Sequence, residues 1–251
     1  MRTAAKNIAR SLFETLGYRV TRHRPQNRFL ADDEALALLH AQGYRPRLIV
    51  DGGANVGDWT RKARRIFPEA QVHLFEPQTG CEAPLRELSK SSPGLFFHPF
   101  ALTRPGVASV RMGGGGGDDR GTGCYVARSP VDDTELRERP ARSLDEVVAG
   151  LASPSDRVLL KLDLQGHELD ALAGACRLLD SVEVVLSEVS FYPVGGDGPV
   201  FFDYASFLRD RGFEMYDVAG LFARTRDQRL RQGDILFVKR TSPLYCDYSW
   251  E

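Results

Sequence analysis

Cysteine is scarce and scattered. Cys81, Cys124, Cys176 and Cys246 are the only four in 251 residues, and none forms a C-x-x-C pair or stands in a Cys/His cluster. This spacing carries no zinc signature and no disulfide framework, so free thiols in a reducing cytosol are expected. Long apolar runs are missing too. The longest are strand-length, well short of the ~20 residues a membrane-spanning helix needs, so no membrane partner is expected. Neither sign of charge dominates: 33 Lys and Arg face 34 Asp and Glu, for a net charge of −1. That balance lacks the basic footprint of a nucleic-acid or anionic-surface binder. The stretch Met1 to Arg10 is basic and without an apolar core, unlike a secretory signal, which points to a cytoplasmic protein. The remaining composition, 42% hydrophobic and 27% charged, is that of an ordinary globular chain long enough for one decorated α/β domain.

What is present is a strand–glycine turn–helix signal. Leu48-Ile-Val-Asp51 reads as a strand, Gly52-Gly-Ala-Asn-Val-Gly57 as a turn, and Asp58–Phe67 as a helix stopped by Pro68. Val72–Phe75 (strand), Cys81–Ser89 (helix) and Leu95–His98 (strand) continue the alternation, which predicts a parallel sheet with crossover helices. It resumes with a strand over Arg157–Asp163, a helix over His167–Leu179, a strand over Val182–Ser187 ending at Glu188, and a helix over Tyr204–Arg211 closed by Gly212. Phe213–Val218 and Asp234–Lys239 read as a closing strand pair. Residues 1–46 read as a helical N-terminal extension broken near Pro25, with Leu36, Leu38, Leu39 and His40 in a short amphipathic piece. No linker divides the rest, which is taken as one domain over 47–240 with a tail at 241–251.

The middle breaks the pattern. Gly106–Arg111 and Gly123–Arg128 read as strands separated by five glycines, Gly113–Gly117, and then Asp118-Asp119-Arg120. Glycine carries the largest ordering entropy and packs no core. The segment through Arg120 is therefore expected to be mobile, as a loose hairpin connection or as a flap beside a substrate.

Four acids fall at strand ends: Asp51, Glu76, Asp163 and Glu188. Ligands of open α/β sheets bind outside that carboxyl edge. The turn nearly matches a dinucleotide fingerprint, with Glu76 at the distance of a ribose-binding acid. A carboxylate at Asp51 would repel a pyrophosphate at that turn. It suits S-adenosylmethionine, which has an ammonium and a sulfonium and no phosphate, with the ribose diol on Glu76. Asp51 and Glu76 thus outline a cofactor half, and Asp163 and Glu188 a reaction half into which His167 can point.

These residues carry a resemblance. Val50-Asp-Gly-Gly-Ala-Asn-Val-Gly57, Phe75-Glu-Pro77, Leu160-Lys-Leu-Asp-Leu-Gln-Gly-His-Glu-Leu-Asp-Ala-Leu-Ala-Gly-Ala175 and Leu230-Arg-Gln-Gly-Asp-Ile-Leu-Phe-Val238 resemble the FkbM family of S-adenosylmethionine-dependent methyltransferases. Gly121-Thr-Gly123 and Arg142-Ser-Leu-Asp145 also resemble family positions, and the likeness runs from about Leu48 to Lys239. The resemblance implies a Rossmann-like class I methyltransferase fold: a mostly parallel seven-stranded sheet with helices on both faces. It also implies O-methylation of a small hydroxylated partner, a sugar or natural product. Asp51, Gly53, Asn55 and Gly57 would surround the methionine portion, Asp163 would join them, Glu76 would hold the ribose, and Ala101 would approach the adenine. The chain departs from the pattern at the third strand end, where Phe100-Ala101 offers no acid or amide to the adenine amino group, and at Gln165, where the family often has Glu. His167, Asp163 and Glu188 are the candidate bases, or Asp163 and Glu188 could hold Mg²⁺. An N-methyltransferase, an NAD-dependent oxidoreductase and a nonenzymatic S-adenosylmethionine-binding homologue are the alternatives. The sequence leaves the oligomeric state open, a dimer included.

Overall fold

The computed structural model describes Thr15 and residues 32–114, 119–127, 136–193 and 198–245. Most of the expected N-terminal extension, positions 115–118 of the expected flap, and Cys246 lie outside the described residues.

Strands β1 (Leu48–Gly52), β2 (Gln71–Phe75) and β3 (Leu95–His98) come first along the chain. Four strands of the middle region follow: β4 (Ala101–Leu102), β5 (Ser109–Gly113), β6 (Tyr125–Val126) and β7 (Arg137–Arg142). Then come β8 (Val158–Leu162), β9 (Val182–Ser190), β10 (Phe213–Ala223) and β11 (Leu230–Lys239). The helices are α1 (Asp32–Ala41), α2 (Asp58–Ile66), α3 (Thr79–Ser91), α4 (Leu144–Val147), α5 (Glu168–Ala173) and α6 (Phe201–Arg209). No helix among the described residues is long and apolar enough to cross a membrane.

A seven-stranded sheet runs β10-β11-β9-β8-β1-β2-β3. Its strands are parallel from β3 to β9, and β11 is antiparallel to both its neighbours. Successive side chains alternate between the faces of a strand, and this places the two cores. Val50, Leu160, Leu162, Val185 and Phe237 pack on one face with Leu144, Leu172 and Tyr204. Ile49, Leu159, Val184, Leu186 and Leu236 pack on the other with Leu36, Leu39, Ala63 and Leu85. Helices therefore cover both faces, as the resemblance implied.

A second sheet, β4-β7-β5-β6, sits above the carboxyl ends of the first. Its long member β7 was not legible, since Arg-Glu-Arg-Pro-Ala-Arg lacks β-formers and buries only Ala141. Two other expectations change. The helix expected over His167–Leu179 stops at Ala173, because Gly174 lies against β4's extension, where an added Cβ would stand 2.1 Å from the Thr103 carbonyl oxygen. Strand β9 runs on to Ser190, so Glu188 lies inside the strand, opposite Asp234, and not at its end.

On the first face, β2 and β3 build a ladder of aromatic rings. His73 is in register with Phe96, and Phe75 with His98. The rings of His73 and His98 stack, and His73 Nδ1 lies 3.0 Å from His98 Nε2, a bond that needs one donor and one acceptor. Burial, and then the neighbouring His98, lowers the His73 pKa to about 4. Burial, and then Arg142, lowers that of His98. Unfolded histidine takes a proton near pH 6.5, so the folded state loses stability as pH falls from there toward 4. The thermal unfolding midpoint should drop across that window, and His73→Phe should flatten the drop. An equal drop in parent and variant would contradict this origin.

Candidate active site

The cleft begins with a register. Asp51 pairs with Lys161 across β1 and β8, and both follow core residues of the second face, Ile49 and Leu159. Their side chains therefore emerge side by side beneath α2. Lys161 Nζ lies 3.0 Å from Asp51 Oδ1, and the Thr60 hydroxyl of α2 donates to Asp51 Oδ2 at 2.5 Å. The same ammonium donates to the carbonyls of Gly52 and Gly53 at 3.1 and 2.9 Å, so it also fixes the glycine turn. Burial alone would lower the Lys161 pKa, but Asp51 and then Asp163 more than offset this and raise it. Asp51 is fully buried and outside the cleft lining. Its charge is balanced within the protein, so it cannot by itself repel a pyrophosphate, as expected above. Lys161 was passed over as a site residue. A lysine within an otherwise apolar strand run is the signal, because buried lysines occur paired.

Gly53 lies in the left-handed region (φ 75°), and an added Cβ would stand 1.9 Å from the Asp163 carbonyl oxygen. No other residue fits there. Gly57, outside the lining, caps α2 close against Leu85 and Leu88. Beyond the turn lies an open cleft with an interior volume of about 90 Å³. Its floor is Gly53, Asn55, Glu76, Phe100 and Ala101, and its far end is Asp163, Gln165 and His167. Glu76 is buried, accepting the backbone N–H groups of Asn55 and Gln78, each at 2.9 Å. Burial raises its pKa, and those N–H groups hold it down in part.

Gly121, Thr122 and Cys124 cross over this cleft. Asp119 and Arg120, expected to be unanchored, tie that segment down. The Asp119 carboxylate accepts from the backbone N–H and hydroxyl of Thr79 at 2.9 and 2.8 Å and from Arg139 at 2.6 Å, and Arg137 lies 3.2 Å away. Burial raises the Asp119 pKa, but the Thr79 and Arg139 bonds outweigh it and the net shift is downward. Arg120 donates to the Gly80 carbonyl, and Asn55 donates to that of Arg120.

At the far end, Gln165 (φ 53°) turns its amide between two carboxylates, donating to Asp163 at 2.9 Å and Glu188 at 3.1 Å. Glu168 shapes the loop by accepting the N–H groups of Leu164 and Gly166. The Glu188 pKa is pushed up to about 8, first by burial and then by Asp163, Glu168 and Asp234, with Lys161 pulling the other way. The Gln165 NH₂ group thus bridges the two acids. No group of three or more metal-ligating side chains converges among the described residues. His167 lines the same end of the cleft as Asp163. Its Nε2 meets the Thr103 hydroxyl at 3.1 Å and its Nδ1 lies 3.4 Å from Asp170.

The family model "Methyltransferase FkbM domain" matches residues 51–215. The chain belongs to the FkbM methyltransferase family. Its domain thus carries a methyltransferase frame, which sets aside the oxidoreductase alternative. No curated protein matches the chain. Among solved structures, the methyltransferase FkbM from Methylobacillus flagellatus KT is 16% identical (TM-score 0.48), covering 77% of this chain and 43% of its own. This chain thus spans less than half the length of that protein. Magnesium protoporphyrin IX methyltransferase (ChlM) from Synechocystis PCC 6803, with bound SAM, is 15% identical (TM-score 0.46), with 93% and 96% covered. The 1,6-didemethyltoxoflavin-N1-methyltransferase of Burkholderia thailandensis is 12% identical (TM-score 0.43), with 83% and 78% covered. Likeness this distant decides nothing about the substrate.

The Asp119 anchor is testable through the cleft's own cysteine. Cys124 is buried, and burial pushes its thiol up to about 11, whereas Cys176 is exposed. Asp119→Ala should accelerate thiol labelling of Cys124 by about 10- to 150-fold, the factor given by 1.5–3 kcal/mol of hydrogen bonding to a charged group. Cys176 labelling should not change. A Cys124 labelled as slowly as in the parent would show that the segment does not depend on Asp119.

Proposed function

We propose that the cleft binds S-adenosylmethionine and that the protein transfers its methyl group to a hydroxyl of a small polyhydroxylated molecule, a sugar or glycosylated natural product. The observation that carries this reading is the division of the carboxyl edge. One end has a buried acid beside a glycine turn, and the other has a carboxyl whose pKa is raised to about 8. Chain positions fit the cofactor without a phosphate site. Glu76 faces the ribose, the backbone at Gly53 and Asn55 admits the methionine portion, and Asp163 lies at its amino end. Phe100-Ala101 supplies apolar surface and backbone to the adenine. Asp51 acts indirectly, through Lys161, by holding the turn.

The cofactor supplies the activated methyl. The protein must align the acceptor oxygen and take its proton. A hydroxyl is a poor nucleophile while protonated, and a base is most effective when its pKa lies near the working pH. Glu188 meets that condition, and Gln165 couples it to Asp163 on the cleft wall. We place Glu188 and Asp163 ahead of His167 as base, because the ring nitrogens of His167 already face Thr103 and Asp170. A cytoplasmic location belongs to the same reading, as does a catalytic domain over 47–240 with 1–46 as an extension.

Incubation with S-adenosylmethionine and a panel of glycosides and polyols should yield a product heavier by one methyl and resistant to acid, as an ether is. Glu188→Gln should lower turnover by about 10²–10⁴-fold and leave calorimetric S-adenosylmethionine affinity nearly unchanged. In the parent, kcat/KM should rise with pH through about 8, and the variant should lose that rise. A product methylated on nitrogen would overturn the hydroxyl assignment. A silent Glu188→Gln with a large loss in His167→Ala would move the base to the histidine.

A further inference from the structure

We propose that the methyl acceptor carries an acidic group, a carboxylate or a phosphate, and that Arg104 and Arg111 bind it in a second hollow beside the cofactor cleft. This rests on the methyl-transfer reading of that cleft. The hollow has an interior volume of about 490 Å³, in the range of small-molecule sites, against about 90 Å³ for the cleft. Val126 and His167 line both, so the two adjoin. His167 also stands with Asp163 and Gln165 at the far end of the cleft. A molecule seated in the hollow therefore extends past His167 toward the end of the cleft assigned to proton removal. The hollow has the room for an acceptor that the cleft lacks.

The charged groups on its wall decide what it takes. The turn after β4 supplies Arg104, strand β5 supplies Arg111, and α5 supplies Asp170, the one acid in the lining. Asp170 is already engaged, with Arg104 Nε at 3.5 Å and His167 Nδ1 at 3.4 Å. Arg104 meets it through Nε, and its terminal amino groups make no hydrogen bond among the described residues. Arg111 forms no ion pair among the described residues. The register sets Glu138 opposite Arg111, but that carboxylate takes the Ser109 hydroxyl. Both arginines are exposed, so water holds their unused donors until a ligand displaces it. A guanidinium has five N–H donors and no acceptor, and its planar fork matches a carboxylate or phosphate in two parallel bonds. A neutral sugar matches such a wall less well, since every hydroxyl brings a donor of its own. Val107 and Val126 give the carbon skeleton an apolar surface beside the two forks.

Calorimetry with glucuronic acid, glucose 6-phosphate and glucose tests this, each titrated into the protein with and without saturating S-adenosylhomocysteine. At least one acidic sugar should bind, and glucose should bind at least tenfold more weakly. The arm that binds identifies the anion as carboxylate or phosphate. Arg104→Gln and Arg111→Gln should each weaken the acidic sugar by about tenfold or more, as loss of hydrogen bonds to a charged group does. Both should leave S-adenosylhomocysteine affinity unchanged. Arg226→Gln, at an exposed arginine outside the hollow, should change neither ligand. Failure of both acidic sugars to bind, equal binding of glucose, or unchanged affinity in Arg104→Gln and Arg111→Gln would overturn the proposal. S-adenosylhomocysteine binding without acidic-sugar binding overturns this proposal alone. Absence of S-adenosylhomocysteine binding overturns the cofactor reading, and the acceptor assignment with it.

Discussion

A single buried ammonium organises the carboxyl edge. Lys161 sits among Asp51, Asp163 and the carbonyls of Gly52 and Gly53, under α2 and with the Trp59 ring 5.7 Å away. Charges taken out of water are tolerated only when paired and hydrogen-bonded. The partners here come from two parallel strands and the turn between them, so satisfying the charge also fixes the backbone that the ligand must approach. Gly53 then passes against the Asp163 carbonyl at a distance that only glycine allows. The cleft thus depends on an interaction that does not line it.

The rest of the site follows from where negative charge is balanced. Near β1 the ammonium neutralises Asp51. Toward β9 it is outweighed by burial and by three further carboxylates, and Glu188 keeps a raised pKa. The Gln165 amide between Asp163 and Glu188 holds them together without supplying a charge, and so leaves one of them able to accept a proton near neutrality. A glutamate at that position would add a third carboxylate to the Asp163–Glu188 pair. The second sheet contributes in another way: Arg139 of β7 and Thr79 of α3 hold Asp119, and the segment beyond it closes over the cleft.

Much of this is legible in the sequence. The β1 turn, the alternation of strands and helices and the four acids were plain from periodicity and punctuation, because each is local. What escaped depends on pairing. The partnership of Asp51 with Lys161 follows from the β1–β8 register, which joins residues over a hundred positions apart. Glu188 read as a strand end because Val189 and Ser190 carry no sign that β11 continues alongside them. Strand β7 was hidden by its arginines, two of which, Arg137 and Arg139, serve Asp119. Asp119 itself was masked by the glycines before it.

Urea unfolding of Asp51→Asn, Lys161→Met and the double variant measures the organising interaction most directly. Breaking a buried ion pair by removing one partner costs about 3–5 kcal/mol. Each single variant should lose stability on that scale, and the double variant should lose far less than the two losses combined, since no unpaired charge is then left behind. Losses that simply add would contradict the claim that Lys161 and Asp51 hold the turn as a unit.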